Sequence, residues 1–168
     1  MDTFSQEQIR SFIEETIREG EVALAENNYP IGSIVVDGEG EIIAKCHNEN
    51  STKDDITAHA EVLCLKELGD SRLSKENGKS YYLFSSLEPC GGCGFFIART
   101  NIKAIFVAAV DPYRSGTSIL KESSDFSEIF KDLNFVVCNF PDLAKRSKLL
   151  MRDYLVKKGR KTDAKIYE

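Results

Sequence analysis

No stretch of this 168-residue chain approaches the roughly 18 consecutive apolar residues that a membrane-crossing helix needs. The N-terminus, Met1-Asp2-Thr3-Phe4-Ser5-Gln6-Glu7, lacks the basic and apolar regions of a secretory leader, so a cytoplasmic location is expected. There is no internal repeat and no linker, which leaves one expected domain over residues 1–168. Cysteine is too sparse and too scattered for a disulfide framework: five residues, an odd number, are spread along the chain. Of these, Cys46, Cys64 and Cys138 sit among apolar neighbours and are expected to be small buried hydrophobes. Basic charge is scarce over most of the chain. Residues 145–165 hold nine Lys/Arg and two Asp/Glu, while the remainder holds 13 basic and 25 acidic residues. Such an acidic body does not suit broad phosphate-backbone binding, although the basic C-terminal stretch could still touch a polyanion.

What is present is a globular composition, 42% apolar and 29% charged. Periodicity predicts a helix from Ser5 to Glu26, opened by Ser5 with Gln8 as a cap, then two strands, Ile31 to Val36 and Glu41 to Lys45, around a Gly-rich turn. A polar loop, Asn48 to Thr57, leads into a helix from Ala58 to Leu68 and a charged turn to Lys79. Strands follow at Tyr81 to Ser85, Ala104 to Ala109 and Phe135 to Asn139. Helices are expected from Cys90 to about Thr100, from Phe126 to Asp132, and from Asp142 to Lys158 with Asp142 as its cap. Asp111 to Ser124 reads as a loop large enough to wall or cover a site. Helices alternating with strands in this way indicate a layered α/β domain with one mixed sheet.

Two short motifs carry the chemistry: Thr57-Ala58-His59-Ala60-Glu61, and Glu88-Pro89-Cys90-Gly91-Gly92-Cys93. Cysteines at i and i+3 project from one helical face, so Cys90 and Cys93 can reach one metal. With His59 they make three ligands, which leaves a tetrahedral zinc one open position for water. Glu61 need not be a ligand and is placed to move the water proton. Two blander readings stand beside this one. A closed structural zinc site would draw a fourth ligand from Cys64 or Cys46, yet closed sites usually pair two close couples and this chain has one. A thioredoxin-like redox pair leaves His59-Ala60-Glu61 unexplained.

From about Pro30 to Ala109 the chain resembles the cytidine and nucleobase deaminase superfamily, whose zinc enzymes carry H-x-E followed by P-C-x-x-C. The resemblance extends to Pro30-Ile31-Gly32 and Cys46-His47-Asn48. It implies a three-layer α/β/α fold with a five-stranded mixed sheet, and one zinc per chain held by His59, Cys90 and Cys93. It makes Glu61 the proton shuttle and Asn48 a reader of the substrate base, an amide having both donor and acceptor. Leu87-Glu88-Pro89-Cys90 and Thr57 to Glu61 look most like the branch with guanine deaminase, fungal cytosine deaminase and tRNA adenosine deaminase. Asp111 coincides with an Asp near substrate in the tRNA enzymes. The chain departs from its relatives at Gly94-Phe95-Phe96, where small residues are usual and where the Phe pair reads as core. It departs again at Asp111-Pro112-Tyr113-Arg114-Ser115-Gly116, the segment that shapes the pocket. His47 reads as a strand-end histidine rather than a ligand. The expected activity is hydrolytic release of ammonia from a free nucleobase or nucleoside, guanine-like or cytosine-like rings first. The alternative is tRNA adenosine-to-inosine deamination, with RNA a partner that the acidic body does not favour. A zinc-binding regulatory module without turnover is the third reading. The resemblance further implies a homodimer.

Overall fold

The computed structural model describes residues 3–112 and 116–168. Its centre is one five-stranded sheet in the order β2-β1-β3-β4-β5, built from β1 (Gly32–Asp37), β2 (Ile42–His47), β3 (Tyr81–Ser85), β4 (Ile102–Val107) and β5 (Asn134–Val137). β1 is antiparallel to both β2 and β3, whereas β3, β4 and β5 run parallel. The expected mixed sheet is therefore present.

Side-chain alternation along the central strands explains the layers. Ile34, Val36, Tyr82, Phe84, Ala104 and Phe106 point to one face and pack with Phe12, Ile13 and Ile17 of α1 (Gln6–Ala25) and Leu143 of α7 (Pro141–Lys157). Val35, Leu83, Ile105 and Val107 point to the other. There they meet Cys64 and Leu68 of α3 (Ala60–Leu73) and Cys93, Ile97 and Ala98 of α4 (Gly91–Ala98). Helix, sheet and helix form the three expected layers. Among the described residues no helix is long and apolar enough to cross a membrane.

Several local expectations are corrected. The polar stretch after β2 contains a single helical turn, α2 (Asn50–Lys53). The helix expected to end at Leu68 runs to Leu73 across a break at Gly69, whose φ of 75° lets the chain kink without strain. The supposed loop at 111–124 carries α5 (Thr117–Glu122), and Tyr113, Arg114 and Ser115 lie outside the described residues. After it come α6 (Ser127–Phe130) and β5. Asp142 does not cap α7. Its carboxylate is paired with Arg10 of α1 instead, and Phe140 occupies the cap position. Ser5 and Gln8 do form the capping box read from the sequence. Beyond α7, periodicity gave no element, yet the chain turns at Gly159 into α8 (Lys161–Ala164) and a further short turn that buries Tyr167.

Candidate active site

The site forms where two helices begin beside the β1 and β3 strand ends. His59 has extended backbone, φ −75° and ψ 147°, and caps α3, so that Glu61 falls in the first turn. Cys90 does the same for α4 with φ −62° and ψ 165°, and Cys93 follows in the first turn of that helix. Both starts present unpaired N–H groups and the positive end of a helix dipole, a setting that favours thiolates and carboxylates.

His59 Nδ1 lies 3.3 Å from Cys93 Sγ and 3.6 Å from Cys90 Sγ, and the two sulfurs are 3.5 Å apart. Tetrahedral zinc at bond lengths of about 2.0–2.3 Å would separate these atoms by roughly 3.5–3.8 Å. The donor set thus fits zinc in spacing as well as chemistry. Hydrogen bonding from Cys93, helped by His59, overcomes burial and pushes the Cys90 thiol down to about 4. Cys93, donating to Cys90 and buried, shifts upward. Two sulfurs that share one proton in this way would both be thiolates beside a dication.

Glu61 is 3% exposed, and its Oε1 accepts a hydrogen bond from the Ser85 hydroxyl at 3.1 Å. Burial raises its pKa, opposed by the backbone hydrogen bond and by His59. A carboxyl whose proton affinity is raised in this way is a better proton acceptor than a solvated one and can return what it takes. His59, Glu61 and Cys90 face one cavity of about 370 Å³, while Cys93 is buried beside them.

Asn48 and Asp111 also line that cavity. Asn48 is 3% exposed, and its Oδ1 accepts the Asn50 backbone N–H while its amide nitrogen donates to Asn50 Oδ1. Asn50, which also lines the cavity, was not singled out by sequence, although an Asn side chain commonly accepts the backbone N–H two residues on. The Phe pair does not reach the cavity. Phe95 packs edge-on against Phe126, and Phe96 is 54% exposed, so the expectation of a core pair fails for Phe96. Gly94 supplies the close approach that small residues give in relatives: a Cβ there would meet Thr117 Oγ1 at 2.5 Å. Thr117 donates to Pro89 O, and the Ser118 hydroxyl and N–H both donate to Glu88 Oε1. The start of α5 is thereby tied to the Cys90 loop.

Residues 6–109 match the family model described as the cytidine and deoxycytidylate deaminase zinc-binding region. The chain belongs to this family. It is a zinc-dependent hydrolytic deaminase. Among its relatives is the tRNA-specific adenosine deaminase of Aquifex aeolicus, 35% identical over 105 residues, 62% of this chain and 68% of that one. A solved structure described in work on A-to-I editing by tRNA:A34 deaminases is 27% identical, with a TM-score of 0.61, and covers 76% of this chain and 97% of the other. The guanine deaminase of Bacillus subtilis is 28% identical with a TM-score of 0.54, covering 73% of this chain and 74% of its own.

The remaining cavity wall of the deaminase comes from outside the matched region. Met151 and Leu155 of α7 and Arg160, Asp163 and Tyr167 of the tail line it. Tyr167 donates its hydroxyl to Asp111 Oδ1 at 2.6 Å, and Arg160 is paired with Asp163 at 2.7 Å. Sequence reasoning missed this wall because no motif marks it. The one available signal was the buried pattern Ala164 and Tyr167 in an otherwise charged tail. Of the other cysteines, Cys64 and Cys138 are buried as expected, whereas Cys46 is half-buried with its thiol 3.5 Å from Glu67 Oε2.

Proposed function

We propose that the deaminase converts adenosine to inosine within a transfer RNA, water entering at C6 and ammonia leaving. In this reading His59, Cys90 and Cys93 hold the zinc. When bound, zinc supplies a polarised water of lowered pKa. Glu61, buried and hydrogen-bonded by Ser85, takes one water proton and delivers it to the ring nitrogen, then carries the second, from the added hydroxyl, to the departing amine, which leaves as ammonia. Asn48 reads the base edge with its amide, and Asp111 with the tail forms the opposite wall. The observation that carries the substrate is the curated relative from Aquifex aeolicus, a tRNA-specific adenosine deaminase at 35% identity. It favours the tRNA alternative over the free base expected first from sequence. Exposed Lys157, Lys161 and Lys165 stand on the same segment that lines the cavity, where a phosphate backbone could lie. The reading implies a cytoplasmic protein of one domain. It also keeps the expected homodimer, for which exposed Ile56, Phe96 and Ile119 offer apolar surface.

A second reading, deamination of a free purine, is favoured by one observation. The tail wall leaves about 370 Å³, enough for a base without a polymer, and a guanine deaminase is among the solved structures at 28% identity. The test is ammonia release by the zinc-loaded protein from an adenosine-containing anticodon stem-loop and from a panel of free bases and nucleosides. Turnover of the stem-loop, falling steeply with salt and lost in Glu61→Gln, supports the first reading. Turnover of a free base alone supports the second. One bound zinc with no turnover anywhere sinks both and leaves a regulatory module.

A further inference from the structure

Both ring nitrogens of His47, the last residue of β2, face carboxylates: Nδ1 lies 3.0 Å from Glu19 Oε2, and Nε2 lies 3.1 Å from Glu26 Oε2. Ionised carboxylates only accept, so both contacts are hydrogen bonds at once only when the ring carries two protons. The imidazolium then bridges the end of β2 to α1, which supplies Glu19 and, at its C-cap, Glu26. Glu19 is shared with Lys45 of β2 at 3.4 Å, and Lys45 also reaches Glu15 of α1 at 3.0 Å. Among the described residues these are the charged groups that face the ring directly or reach it through Glu19 and Lys45.

The next residue is Asn48, and its backbone N–H donates to Ile31 O at 2.9 Å. The far side of the Asn48–Asn50 turn is held by a neutral anchor. Asn28, fully buried just after α1, accepts the N–H groups of Ser51 at 2.8 Å and Thr52 at 3.1 Å. The amide turn that borders the cavity is therefore pinned on both sides, by an ionic anchor to α1 before it and a neutral one to the segment just after α1 behind it.

We propose that His47 is a positioning residue whose protonated ring, clamped between Glu19 and Glu26, sets the place of Asn48 and so tunes substrate affinity rather than turnover. The proposal rests on the reading that Asn48 touches the substrate. Burial pulls the His47 pKa down, but the hydrogen bonds to the two glutamates outweigh it, and the net shift is upward from 6.5. A group raised on folding stabilises fully below its unfolded value and loses that contribution as pH rises through its folded value. The clamp should thus be closed at pH 6 and should open as pH rises through the folded midpoint, which lies above 6.5.

The chain has two histidines, so NMR of the zinc-loaded protein separates His47 from His59. Support requires a His47 ring midpoint above 6.5, a lower midpoint in Glu26→Gln, and an Asn48 amide signal that moves with the ring. Over the same pH interval KM for the best substrate should rise about five- to tenfold with kcat steady, the low end of coupling between sites. In His47→Gln the rise should vanish, KM staying high throughout, with zinc content and kcat retained. A midpoint at or below 6.5, or an Asn48 signal indifferent to the ring, overturns the clamp itself. Coupled NMR shifts with a flat KM also overturn the proposal, and locate the failure in Asn48 as a substrate contact. An unchanged KM profile in His47→Gln overturns it as well.

Discussion

Replacing Tyr167 by Phe isolates the contribution of the tail to the pocket. The ring is 3% exposed and packs with Leu87, Ala109, Met151, Tyr154 and Leu155, and Phe keeps that packing. What disappears is the hydroxyl that donates to Asp111 Oδ1 at 2.6 Å. Hydrogen bonds to charged acceptors contribute about 1.5–3 kcal/mol. Asp111 is only half-buried and can recover part of this from water, which selects the lower end, about 1.5 kcal/mol. For a chain of this size that loss corresponds to a fall in Tm of roughly 3–6 °C, readable by scanning calorimetry. If the same contact holds the wall against a bound base, KM should rise about tenfold, since about 1.4 kcal/mol is a factor of ten, while kcat stays within a factor of about two. A variant matching the parent in both Tm and KM would refute the reasoning, making the tail a passive cover. A lowered Tm with an unchanged KM would confine Tyr167 to stability.

The other predictions begin at the zinc end of the cavity. Glu61→Gln keeps the shape and the Ser85 contact, so it should retain one zinc by metal analysis and a parental Tm while kcat falls about 10²–10⁴-fold; activity above a tenth of the parent would exclude Glu61 as proton carrier. Removing zinc with a strong chelator should lower stability by about 2.7 kcal/mol relative to protein at a hundredfold excess over Kd, and added zinc should restore Tm and turnover together. Gly94→Ala drives a Cβ to 2.5 Å from Thr117 Oγ1, so overpacking of about 1–3 kcal/mol should appear in urea denaturation. An unshifted midpoint would mean that α4 and α5 separate at no cost. Thiol labelling at pH 8 should spare Cys138, whose burial raises its pKa to about 12, until the protein is unfolded.

The reaction type was legible in the sequence because its chemistry is local. His59 and Glu61, and again Cys90 and Cys93, lie within one helical turn of each other, and a helix start is enough to aim each couple. The central strands were legible for a similar reason: continuous apolar, β-branched runs report a sheet buried on both faces. Asn48 was reachable as a residue of the site only through the family resemblance, and its hydrogen bonds to Asn50 were not foreseen. The α7 cap was misread because Asp142 has the right chemistry for a cap yet lies opposite Arg10, a partner 132 residues away.

By itself, then, the sequence determined the metal, the reaction and the layered fold. Each depends on periodicity or on ligands a few residues apart. Only the tertiary structure decided what closes the pocket. Arg160, Asp163 and Tyr167 reach the cavity because α7 crosses the sheet and Gly159, at φ 77°, turns the chain back over the site. Tyr167 finds Asp111 across 56 positions, and His47 finds Glu19 across 28. Contacts of that separation leave no period or motif in a chain, because the energy that selects them is released only when the layers pack.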